Sequence, residues 1–162
     1  MTTQTTALSK VAPYFSLLEK IFLAGLVVGL VLIFLNPANG AVIKVSLVGL
    51  AITYFLTAFK PIDIPVQADE RFEFKDLLTL TILPKVMWIS CAISLFGILI
   101  YTLQLPHDGH KRLLMTGGST IVVGLIILDY AALTETKHLK YILPIALRAA
   151  PLVVMDFYLL YK

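Results

Sequence analysis

Groups that commonly do chemistry are scarce in this chain. Its one cysteine, Cys91, has no second thiol to pair with, which excludes an internal disulfide. Set among apolar neighbours, Cys91 reads as a small packing residue. Charged residues make up 14% of the chain, against about a quarter in a typical soluble domain. The 13 Lys and Arg against 10 Asp and Glu leave a net charge of +3, with no basic block of the kind that tracks a phosphate backbone. Nucleic acid is therefore not expected as a partner. No nucleophile elbow, phosphate-binding loop, paired catalytic carboxylates or cysteine–histidine motif occurs. The expectation is a non-catalytic protein without a cofactor.

What the chain has instead is apolar length. Of its 162 residues 59% are hydrophobic, the mean hydropathy is +0.90, and the excess lies in long uncharged runs. That distribution is the signature of a membrane protein, with the lipid bilayer as its first partner. Residues 1–16 form a Thr-rich polar tail, expected to be mobile or to lie on the surface. Residues 17–162 form one transmembrane domain, with spans expected at about 17–35, 41–59, 86–105, 113–133 and 141–161. Lys10 and Lys20 before a short apolar run and Ala38-Asn39-Gly40 after it also fit a signal peptide. A second apolar run follows after only five residues, which a helical hairpin explains better. The polar insert 60–85 is expected to open extended and then to form a short helix capped by Asp69. Pro84 is expected to separate the apolar Leu77–Leu83 from the third span. Trp88 and Tyr101 stand where interfacial anchors stand. The last stretch carries Arg148, Asp156, Pro144 and Pro151, so its crossing is the open question. The fold class is an all-α membrane protein, a bundle of five transmembrane helices, or four if 141–161 does not cross.

The first four spans read as two similar helical hairpins, with the fifth added. Gly29 precedes Pro37 by eight residues and Gly97 precedes Pro106 by nine, and each first helix ends in Pro-x-x-Gly. Two crossings per unit would make the repeat parallel. Any apolar hairpin needs such a turn, so the pattern fits both duplication and plain turn chemistry. At the level of the hairpin, Leu18-Glu19-Lys20-Ile21-Phe22, the Pro37–Gly40 turn and Ala51-Ile52-Thr53-Tyr54-Phe55 resemble uncharacterised small multi-span membrane proteins of Bacteroidota. That group has a faint likeness to the membrane helices of the gliding-motility motor. The resemblance covers the first hairpin and, more weakly, the second. A proton-driven motor of that kind would use an acidic residue in its second span, and this chain has none there. No functional residue carries over.

Lys and Arg decide sidedness. With five spans and the N-terminus inside, Lys10, Lys20, Lys60, Arg71, Lys75, Lys85, Lys137 and Lys140 lie inside, against Lys44, Lys111, Arg112 and Lys162 outside. This predicts an inner (plasma) membrane protein with a cytoplasmic N-terminus and insert. Four charges fall at membrane depth: Lys44, Asp129, Arg148 and Asp156. Depths matched along the spans suggest Asp129 with Arg148 and Lys44 with Asp156, a buried network. Snorkelling to the headgroups is the simpler account, and a proton or ion path the more ambitious one. His107, Asp108 and His110 bring two imidazoles and a carboxylate into one loop. With no fourth donor near, they read as a polar turn rather than a metal site. Gly25, Gly29 and Gly49, with Ser90 and Ser94, let helices approach closely, either within the monomer or against a copy or another membrane subunit. The expected role is a structural or assembly component of a membrane complex. The alternative is a small transporter or a proton- or ion-translocating subunit.

Overall fold

A computed structural model describes residues 4–35, 40–60, 77–105, 108–134 and 139–162. Among them the chain is all helix: α1 Gln4–Leu35, α2 Ala41–Ala58, a short π-helical turn Leu77–Ile82, α3 Leu83–Thr102, α4 Gly109–Thr134 and α5 Leu139–Tyr161. The expected Asp69-capped helix, His107 and the prolines of both hairpin turns lie outside the described residues.

Among the described residues five stretches are long and apolar enough to cross a membrane: Tyr14–Ile33, Ala41–Ala58, Leu83–Thr102, Gly109–Tyr130 and Leu143–Tyr161. The boundaries depart from expectation where a helix runs past its apolar stretch. The helix α1 starts at Gln4, well before residue 17, so the polar residues 4–16 are helical. Extending a helix costs far less than nucleating one, and the apolar run supplies the nucleus. Pro84 does not separate Leu77–Leu83 from the third span; the π-helical turn runs directly into α3 with Pro84 in its first turn. Proline lacks the N–H that a regular helix would direct at the carbonyl four residues back, and the wider turn lies where that bond is missing. The fifth stretch is one helix through both Pro144 and Pro151, which membrane helices tolerate when neighbouring groups satisfy the freed backbone.

The third helix is the hub, packed against α2, α4 and α5, while α1 packs on α2 and α5 lies in the groove of α3 and α4. The buried positions follow a spacing of three and four. On α3 they include Met87, Cys91, Ser94 and Ile98; on α4, Leu114, Ile121 and Leu128 recur every seventh residue. On α5 the seam is Ile145, Ala149, Asp156 and Leu159. This is the pattern of helices packed side by side at a small angle. Lipid tails are as apolar as leucine, so the contacts depend on close fit, which small residues permit. A Cβ at Gly29 would come within 2.6 Å of the Ile43 side chain, and one at Gly97 within 2.8 Å of Leu114. The two hairpins thus share a device, a glycine late in the first helix that admits a branched residue early in the second.

At the end of α3, Gln104 has φ 53°, the left-handed region, with its N–H donated to the Tyr101 carbonyl at 3.1 Å. Glycine is the residue suited to that place. Gln104→Gly is expected to stabilise the bundle by a few tenths to about 1 kcal/mol, the relief of strain exceeding the added freedom of the unfolded chain. A higher unfolding midpoint in detergent, with unchanged helix content, would register it.

Candidate functional site

Four helices bring one polar group each to the same depth. Within the crossing segments, Glu19 of α1, Trp88 of α3 and Arg148 of α5 each stand five residues from the start, and Tyr54 of α2 four from the end. At 1.5 Å per residue all four lie roughly 6–8 Å inside the same end of the bundle.

Glu19 is buried, on the α1 face that also carries Phe15. Its two carboxylate oxygens take a fork from Arg148: Nε donates to Oε1, and Nη2 donates to Oε2 at 3.1 Å. Such a paired contact matches the planar guanidinium and is stronger than a single bond. The Tyr54 hydroxyl donates to Oε1 at 3.3 Å. The remaining Arg148 nitrogen, Nη1, donates to the Pro144 carbonyl at 2.8 Å. Arg148 also lies over the Trp88 ring, 5.8 Å from its centroid, and that ring meets Tyr54 at 4.9 Å and 59°. A cation over an indole face adds attraction where water is scarce. The cluster neutralises itself: one anion, one cation, and a hydroxyl and a carbonyl to complete them. Trp88, an expected anchor, is part of it.

Arg148 is therefore paired, but not with Asp129, which lies on an exposed face of α4. Glu19 stands level with Arg148, but just before the first uncharged run and beside Lys20, where hydropathy does not mark it as a charge at depth.

Asp156 is fully buried, and its partner is not Lys44. The Ser94 hydroxyl of α3 donates to Asp156 Oδ2 at 2.6 Å, while Oδ1 has no hydrogen-bond partner. The fourth helix passes close beside the carboxyl: a Cβ at Gly118 would come within 3.1 Å of Oδ2. Lys44 sits half-buried in the first turn of α2. Depth along the chain was insufficient to pair these charges, because facing depends on which helices touch.

The small residues are used inside the monomer. Gly25 and Gly29 face Ser46 and Ile43, Gly49 receives the Phe22 ring, and Gly117 lies against Ser94. Ser90 donates to the Val86 carbonyl of its own helix at 2.9 Å. Asp108 forms an ion pair with Lys111 at 3.3 Å, and the His110 ring packs on Tyr101. Among the described residues no cluster of three His, Cys, Asp or Glu side chains is placed to hold a metal. Compared with known proteins, the chain matches no family model, no curated protein and no solved structure.

Proposed function

We propose that this chain is a non-catalytic, multi-pass protein of the inner membrane, with a cytoplasmic N-terminus, that serves as a structural or assembly component of a membrane complex. The observation that carries this is the closure of Arg148 on Glu19. The guanidinium of Arg148 ties α5 to α1 across the bundle, so its charge holds helices together instead of lining a path. The first helix, packed mainly on α2 apart from this clamp, turns apolar residues such as Val27, Leu30 and Val31 outward, where another membrane subunit can lie. The Lys and Arg count puts the clamped end of the bundle, with Lys20, Lys60 and Lys85, on the cytoplasmic side.

Charge-neutralising substitutions test this against a proton- or ion-translocating subunit, the reading that the unpaired oxygen of Asp156 favours. In vesicles, Arg148→Leu is expected to lower accumulation of the protein while leaving gradient-driven flux per molecule unchanged, and Asp129→Asn to change neither. Loss of flux from a normally accumulating variant would overturn the assembly role. Co-purification from the native membrane then identifies what the bundle joins.

A further inference from the structure

We propose that Asp156 and Ser94 form a proton-binding site inside the bundle, and that the proton held there sets how closely α5 seats on α3 and α4. Asp156 occupies a seam position of α5, in line with Ile145, Ala149 and Leu159, where an apolar residue is the rule. It has 0% of its surface exposed. One oxygen, Oδ2, accepts from Ser94 at 2.6 Å, and Oδ1 meets no donor.

The carboxyl lies where α5 packs on α3 and α4. From α3 come the Ser94 hydroxyl and the buried Cys91 thiol, one turn earlier on the same helix. From α4 comes Gly118, which brings no side chain, while Gly117 lies against Ser94. On α5 itself Arg148 lies two turns away and is committed to Glu19, while Tyr158 and Tyr161 face outward. Among the described residues no cation pairs with Asp156.

A carboxylate so placed would carry its charge against a single hydroxyl, in surroundings where an unpaired charge is costly. A proton on Oδ1 removes the charge, and the carboxyl keeps the Ser94 hydrogen bond to Oδ2. The proton also needs no extra room. A metal ion would need several more oxygen ligands than the two carboxylate oxygens and one hydroxyl available, and no surface of Asp156 is open to water that could supply them. Uptake and release involve only a proton exchanged with water. Release leaves a charge that demands hydration, and the closed seam, in which Asp156 is fully buried, admits none. Proton release and loosening of α5 are therefore one event.

Infrared difference spectroscopy of the full chain in lipid vesicles, stepped from acid to alkaline pH, reads the site directly. The expected result is a carbonyl-stretch band of a protonated carboxyl that disappears with pH and is missing from Asp156→Asn. Ser94→Ala, which removes the donor and keeps the acid, is expected to shift the same band. A spectrum unchanged by both substitutions would overturn the proposal. A band that responds to sodium at fixed pH would assign the site to a metal cation instead and equally overturn it. Maleimide labelling of Cys91 reads the seating. Its rate in the native chain, relative to that in Asp156→Asn at the same pH, is expected to rise as pH rises; a constant ratio would refute the coupling.

Discussion

Arg148→Leu is expected to destabilise the bundle by about 3 kcal/mol, the lower part of the range for breaking a buried ion pair. Glu19→Leu is expected to cost less, about 1–2 kcal/mol. The asymmetry follows from exposure. Glu19 is 8% exposed, so removing its partner leaves a buried carboxylate with only the Tyr54 hydroxyl. The Arg148 side chain is 35% exposed, so without Glu19 it can turn its head toward the nearby membrane surface. The double variant Glu19→Leu/Arg148→Leu is expected to recover most of the loss, since two apolar side chains of similar volume need no compensation. Reversible unfolding in mixed micelles measures all three. A double variant as unstable as the sum of the singles would show that the pair contributes no mutual interaction, and equal single costs would contradict the asymmetry drawn from exposure.

Gly117→Ala is expected to cost about 2–3 kcal/mol, the upper part of the range for overpacking a close-fitted core. A Cβ there would stand 2.5 Å from Ser94 Oγ, 2.9 Å from the Ser94 backbone nitrogen and 3.1 Å from the Ser90 carbonyl oxygen. The hydroxyl can rotate, but the backbone of α3 cannot, so the two helices must separate. Separation would also pull Ser94 from Asp156. Gly124→Ala is the matched control. Its nearest neighbours are side-chain atoms of Met87, Cγ at 2.9 Å and Sδ at 3.2 Å, so a flexible side chain and not a backbone must give way. That variant is expected to lose about 1 kcal/mol, the low end of the range for added core volume. Unfolding midpoints of the two, measured side by side, distinguish a backbone clash from a general intolerance of added volume.

Much of this architecture was legible in the sequence because apolar length reports directly on membrane crossing. The second span, read at 41–59, is the helix Ala41–Ala58. The fifth, doubtful for its two prolines and two charges, is a single helix Leu139–Tyr161 of crossing length. Hydropathy could not reveal where a helix continues into polar sequence, as α1 does back to Gln4, or that Pro84 would sit in a first turn instead of at a break. The site was half legible. Arg148 and Asp156 stood out as charges at depth, but Glu19 was hidden by its place at the head of the first run. The true partners are set by lateral packing. The first and fifth helices meet at one end across Tyr54 and Trp88, and α5 lies against α3, so Asp156 finds Ser94. Neither contact is encoded in distance along the chain.

The contact of Glu19 with Arg148 also constrains topology. Two groups five residues into the first and fifth crossing segments can meet only if both helices start on the same side. An odd number of crossings, here the three helices α2, α3 and α4, must lie between the first helix and the fifth. The direct measurement is sidedness of two cysteines in a Cys91→Ser background, one placed before Gln4 and one after Lys162, labelled by a membrane-impermeant maleimide in oriented vesicles. Five crossings tied by this clamp predict labelling from opposite sides. Labelling of both cysteines from the same side would contradict the five-crossing bundle and the ion pair together.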